Sequence, residues 1–310
     1  MDFDFLNKAI GRRSFIGGSL KLSTAAFVGG ILPVGSVLSF VSKSTISVVK
    51  GQNKKNITID AIEAVGGIGK FIKGGERVVV KPNIGWDRTP ELGANTHPDV
   101  VKAIVEMCLD AGAKEVSVFD RTCHDARRTY ESSGIRAAVE GIKDPRVRVK
   151  YVDDKRFVGL DIPKGKKLTT WEFYKDVLDA DTLINVPVAK THGTTTLTLS
   201  MKNLMGVIGG NRSTIHWSID QKLADISSLI RPDLIVLDAT RIMVKGGPTG
   251  GSINNVVVKN TVVAGTDPVA VDSYGATLFG MKGRDIGHIA SAYEMGLGEI
   301  DLSNVKIISG

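Results

Sequence analysis

Arg77-Val78-Val79-Val80-Lys81, Pro98–Ala111 and Glu115-Val116-Ser117-Val118-Phe119-Asp120 are, in that order, a strand pattern, a helix pattern and a second strand pattern. The two outer pieces are short runs dominated by valine, the composition of a strand buried on both faces. In the middle piece Val100, Val101, Ile104, Val105 and Leu109 recur at helical spacing. Thr96 followed three residues later by Asp99 matches a capping box, and Gly112 is a helix stop. Strand, helix and strand predict a βαβ unit, whose parallel strands are joined by a right-handed crossover.

The same alternation continues outward. Thr182–Val186 reads as a buried strand leading through a turn into a helix-like stretch that ends near residue 209, and Lys222–Ile230 reads as a further helix. Leu234–Asp238 is another strand pattern. Asn254–Lys259 and Thr261–Ala264 read as a hairpin, Asp267-Pro268 starts a helix reaching about Phe279, and a last helix near 285–295 precedes a closing strand, Val305–Ile308. Residues 121–175 are less regular, with an amphipathic piece at Tyr130–Gly141, a strand near Val147–Val152 and a polar run around Pro163–Lys167. They read as an excursion from one α/β domain spanning 43–310. The predicted class is α/β, with a mostly parallel or mixed sheet flanked by helices and a cleft at the C-terminal edge of its strands.

Hydrophobic residues make up 42% and charged residues 24% of the 310, enough to build a sizeable core. The net charge is +7, scattered and without a run of five basic residues. No basic stripe accompanies a nucleic-acid module, so no nucleic-acid partner is expected, and a small anionic ligand fits the excess better. Arg12-Arg13 precede Leu22–Val41, a segment with no charged residue. This resembles a twin-arginine signal over residues 1–42 and predicts an exported, periplasmic or extracytoplasmic protein. Twenty uncharged residues also suffice for a membrane anchor, so membrane contact is expected only through this segment if it is not cleaved. Cys108 falls late in a helix and Cys123 just past a strand, too far apart for a disulfide. Two cysteines cannot ligate a four-cysteine iron–sulfur cluster, and none is expected.

Chemistry-bearing residues gather just past strand ends: Lys81 and Asn83, Asp120 and Arg121, Lys190 and His192, and Asp238. In a parallel sheet all of these project to one rim, where ligands bind. The densest stretch is Val188-Ala189-Lys190-Thr191-His192-Gly193-Thr194-Thr195-Thr196, continuing to Met201-Lys202-Asn203-Leu204-Met205-Gly206. Read as a strand-to-helix turn, it offers two lysines, an imidazole, hydroxyls and helix-start N–H groups to an anion.

Val80-Lys81-Pro82-Asn83, Lys190-Thr191-His192, Lys202-Asn203-Leu204-Met205-Gly206, Asp238-Ala239, Gly247-Pro248 with Gly250, Ala264-Gly265 with Asp267–Asp272, and Gly296-Leu297-Gly298 are together similar to the domain-of-unknown-function family 362. The similarity spans about residues 45–310. The family brings no established reaction. Many of its members carry an appended cysteine-rich iron–sulfur module that this chain lacks.

The residues assign these roles. Lys190, Lys202 and Lys81 hold a carboxylate or phosphate, supported by Thr194 and its neighbouring hydroxyls. Asn83, Asn203 and Asp238 complete the substrate-binding set. Asp272 is a further candidate, and Asp267 a helix cap. His192 transfers a proton, its pKa lowered by the like charge of Lys190. His97, Asp120 and His124 are a candidate set of ligands for a divalent metal, on residue type alone since no short His spacing occurs. The Lys245–Gly251 loop lacks the phosphate-loop pattern, Gly66-Gly67-Ile68-Gly69-Lys70 follows no convincing strand, and no nucleophile elbow is present. The expected function is binding of a small anionic metabolite and action on it by proton-transfer or redox chemistry. Capture of an anion or cofactor without turnover is the alternative.

Overall fold

A computed structural model describes residues 44–310. The proposed export segment, 1–42, lies outside them. Among the described residues no helix is long and apolar enough to cross a membrane.

Among the described residues twelve strands and nine α-helices follow one another in chain order. They are β1 (Thr45–Lys50), α1 (Lys54–Ala64), β2 (Arg77–Pro82), α2 (Pro98–Asp110), β3 (Glu115–Val118), α3 (Ala126–Ser132), α4 (Ile135–Glu140), β4 (Val147–Val149), β5 (Phe157–Asp161) and β6 (Thr170–Tyr174). Next come α5 (Lys175–Asp179), β7 (Thr182–Val186), β8 (Val188–His192), β9 (Thr196–Thr198), α6 (Ser200–Asn203), α7 (Ile219–Leu229), β10 (Leu234–Met243), β11 (Val256–Gly265), α8 (Pro268–Thr277), α9 (Gly287–Glu294) and β12 (Lys306–Ser309).

The main sheet runs β12-β1-β11-β10-β7-β2-β3-β4. The block β10-β7-β2-β3-β4 is wholly parallel, and along the eight-strand path only β11 runs against the rest. This is the mixed, largely parallel sheet expected from the strand–helix alternation. From β2 the chain moves outward through β3 to β4, then returns to β7 on the other flank of β2. The strand order therefore reverses between β2 and β7, the place where a doubly wound sheet opens a crevice.

Side chains alternate across the sheet with the period of a strand. Val78, Val80, Ile184, Val186, Leu234 and Val236 pack with α1 and α2 in one cluster. Val79 and Leu183 face the opposite layer, with Phe119, Phe173 and Leu223, while Ile235 and Leu237 join α8 and α9. Covering both faces makes the central strands continuous apolar runs.

Two expectations change. The 182–209 region is not a strand, a turn and a long helix. After Pro187 the chain forms a β8–β9 hairpin, and α6 is a single turn. Residues 254–264 are not a hairpin either, because 256–265 form one strand against β10. Asn260, with φ 46°, sits where the β10–β11 register slips between Ala239 and Arg241, so the break read as a turn is a β-bulge. The 121–175 excursion contributes β4 to the sheet edge and a separate β5–β6 ribbon.

Candidate functional site

The cleft forms where β2 and β8 part. Strand β2 follows β7 as far as the Pro82–Val186 pair, whereas β10 accompanies the chain past Pro187 and pairs with β8. A small open cleft of about 70 Å³ occupies the fork. Asn83, Asp120, Lys190, His192, Lys202 and Asn203 line it. Residues from β2, β3, β8 and α6 thus meet at one rim, as parallel strands require.

Lys81 lies beneath the cleft and does not line it. It is wholly buried, and its Nζ stands 2.7 Å from Asp120 Oδ1. It also donates to Asn203 Oδ1 (3.0 Å) and to the Pro82 carbonyl (2.8 Å). Burial lowers the Lys81 pKa, and the Asp120 carboxylate opposes that shift. Asp120 Oδ2 accepts from the Ile84 N–H at 2.7 Å. The two residues lock the ends of β2 and β3 together, so Lys81 is committed to the scaffold and not to a ligand. Gly206 makes this possible: a Cβ there would stand 1.7 Å from Asp120 Oδ1 and 2.6 Å from Lys81 Nζ.

Asn203 is the hub above the pair. Its Oδ1 accepts from Lys81 and from Asn83 Nδ2 (2.9 Å), while its Nδ2 donates to Asn185 Oδ1 (2.8 Å). Asn83 in turn offers Oδ1 to Lys190 Nζ at 3.1 Å. Lys190 also donates to the Ala94 carbonyl, so both of its acceptors are neutral. Burial, reinforced by the Lys202 and Lys81 charges, pushes its pKa down to about 7.

Lys190 and His192 stand two residues apart on β8 and share a face, on which Thr198 of β9 is the cross-strand partner of Lys190. His192 Nδ1 accepts from the Thr194 N–H at 3.1 Å, which leaves Nε2 to carry the hydrogen. Burial first, then the charges of Lys202 and Lys190, push its pKa down to about 3, so the ring is neutral and donates. The like-charge effect expected from Lys190 is therefore present but secondary. Thr198 is 3% exposed, lines the cleft, and its Oγ1 has no hydrogen-bond partner.

Among the described residues the Lys202 ammonium donates only to the sulfur of Met205, at 2.8 Å. Burial pushes its pKa to about 8, with Arg212 and Lys81 adding to the fall. Arg212 and Arg121 line the far wall. Arg212 is held by the carbonyls of Arg121, Thr122 and Met205. Arg121 stacks on Phe157 and faces Asp154. Of the charged side chains lining the cleft only Asp120 is acidic, and it is already paired.

Other expected members are elsewhere. Thr194 is exposed in the β8–β9 turn, and its hydroxyl does not line the cleft. The helix-start N–H groups of Ser200 and Met201 are occupied by the Asp272 carboxylate (2.8 and 3.1 Å), so they are closed to an anion and Asp272 is a cap. Asp238 accepts from the His97 N–H (2.7 Å) and from Thr240, tying the start of α2 to β10. The proposed metal ligands do not converge. His97 Nδ1 caps α2 through the Asp99 N–H, His124 packs edge-on against Trp86 while its Nδ1 accepts from Asp87 N–H, and Asp120 belongs to Lys81. Among the described residues no group of three or more His, Cys, Asp or Glu side chains is arranged to hold a metal ion. Both cysteines are free, Cys108 buried and Cys123 exposed at the cleft. Arg212, Thr198 and Trp86 were not singled out by the sequence. Thr198 sits inside the Thr-rich motif, but only its place across from Lys190 distinguishes it.

A family profile, Domain of unknown function (DUF362), matches residues 78–277 and so takes in every cleft residue named above. The chain belongs to this family. A curated relative, a thylakoid-associated protein of Synechocystis sp., is 26% identical over 248 residues, or 76% of this chain and 73% of the relative. Two solved structures resemble it more distantly. A Thermotoga maritima protein has a TM-score of 0.47 at 13% identity, and the lactate racemase apoprotein of Thermoanaerobacterium thermosaccharolyticum has 0.48 at 9%. Each similarity covers 74% of this chain, and 60% and 56% of those structures respectively.

Proposed function

We propose that the cleft of this DUF362 protein binds a small anion, a carboxylate or a phosphate, and acts on it by proton transfer. The observation that carries the reading is the unanswered positive charge: Lys202, Arg212 and Lys190 line one cleft, and no acidic side chain there is left to neutralise them. Lys202 in particular has no oxygen partner, and a part-buried ammonium facing a thioether is poorly solvated until an anion arrives. Neutral His192 contributes an Nε2–H donor, and Lys190, with a pKa near 7, is the group suited to carry a proton at neutral pH.

Thermal unfolding of the purified chain with increasing inorganic phosphate, or with propionate, tests the binding. A saturable rise in Tm that disappears in the Lys202→Gln, Arg212→Gln double variant supports the reading. No rise with either anion overturns it. Export is tested separately: Arg12→Lys with Arg13→Lys is expected to keep a reporter fused after residue 42 in the cytoplasm, and unchanged export removes the twin-arginine assignment.

A further inference from the structure

We propose that the cleft takes a small oxo-carboxylate and that Lys190 Nζ attacks its carbonyl carbon to form an imine. The inference rests on the anion-binding reading above and names the substrate class and the nucleophile.

Two lysines line the cleft and a third lies beneath it, and the three have different surroundings. Lys81 is paired with a carboxylate at 2.7 Å and out of reach. Lys202 faces the cleft without an oxygen partner, the position of a counter-charge. Lys190 has two partners, the Asn83 amide oxygen and the Ala94 carbonyl, and neither carries charge. An ammonium has three hydrogens to donate, but a neutral amine has two, with one lone pair left over. Two neutral acceptors therefore satisfy the amine in full and leave its lone pair for the cleft. Desolvation and neighbouring cations favour that neutral form, the usual means of making a lysine nucleophilic.

The same hairpin face supplies the remaining parts. Thr198, directly across from Lys190, keeps a buried hydroxyl without a partner. That O–H, or the Nε2–H of His192, can donate to the carbonyl oxygen as charge develops on it. A carboxylate next to the carbonyl would rest on Lys202 and Arg212.

The atoms balance without an oxidant or reductant. The nitrogen lone pair forms the C–N bond, and the carbonyl π pair moves onto oxygen. That oxygen leaves as water, taking its two hydrogens from the amine, and C=N forms. A proton from solvent converts the imine to an iminium, whose single N–H still has Asn83 Oδ1 or the Ala94 carbonyl to donate to.

The test incubates the full chain with pyruvate and sodium cyanoborohydride, followed by a peptide mass map. Expected is a reduced adduct on Lys190, absent in Lys190→Arg, and needing at least tenfold more pyruvate in Lys202→Gln. Propionate, which has no carbonyl, serves as the parallel anion. If propionate and pyruvate both raise Tm but no adduct appears, or adducts appear only on other lysines, the imine is overturned and anion binding stands. If neither anion raises Tm and no adduct forms, both readings fail. If acetone labels Lys190 as readily as pyruvate does, the oxo-carboxylate assignment is overturned. The wild-type mass map carries the result even where a variant folds poorly.

Discussion

Lys81 and Asp120 form a buried ion pair, 0% and 4% exposed with 2.7 Å between Nζ and Oδ1, that joins the ends of neighbouring strands β2 and β3. Placing two charges inside the molecule costs desolvation that only good geometry offsets. Here Asn203, Pro82 and the Ile84 N–H complete the shell. Removing one partner strands the other. Asp120→Ala is therefore expected to cost about 3–5 kcal/mol in urea unfolding, and Lys81→Met with Asp120→Leu much less than the sum of the single changes. Additive losses would mean that the pair is not coupled.

Gly206 predicts a second effect on the same pair. Its added methyl would overlap Asp120, so Gly206→Ala is expected to destabilise by about 1–3 kcal/mol through overpacking. Gly193, in the β8–β9 turn, has nothing within 4 Å of the equivalent position, and Gly193→Ala should leave the unfolding free energy within about 0.5 kcal/mol of wild type.

Thr198 separates stability from binding. With its hydroxyl buried and unpartnered, Thr198→Val removes an unsatisfied group at nearly constant volume. The unliganded protein should gain up to about 1 kcal/mol, while the Tm shift produced by pyruvate shrinks. A loss of stability would show that the hydroxyl already has a partner in solution.

The pH dependence has a definite sign. Lys190 and Lys202 titrate at about 7 and about 8 in the folded chain, against 10.5 for an ordinary lysine. Between these values the folded state holds fewer protons than the unfolded one, so these lysines make stability rise with pH across that window. Lys190→Met should flatten the rise in urea midpoint between about pH 7 and pH 10. Lys81, Asp120, Cys123 and Arg212 also act on the two lysines and should be held constant in the comparison. Anion affinity runs the other way. It should fall as pH climbs through 7 to 8, with proton uptake on binding detectable by calorimetry in buffers of different ionisation enthalpy.

Much of this architecture is legible in the chain. Val78–Val80, Val116, Val118, Leu183, Ile184 and Val186 are apolar because both faces of the sheet are covered, and that constraint is local enough to read. The rim is legible for a related reason, since parallel strands carry their C-terminal residues to one edge. What happens after Pro187 is not. Lys190 and His192 look like turn residues when read forward from β7, and only β10 as a neighbour makes them a strand. Asp272 could not be matched with Ser200 and Met201 either, because the contact joins residues 72 apart. Polar residues beyond a strand end look alike in one dimension. Lys81 turns inward to a carboxylate and Lys190 to two carbonyl-type oxygens, and that difference is set by partners on other elements.

The fork at Pro187 also has a mechanical side. Strand β8 takes its backbone partners from β10 and β9 and none from β2, so the wall bearing Lys190 and His192 is cantilevered from the long β10–β11 arm. Flexing that arm would tilt the amine against a floor held by Lys81 and Asp120.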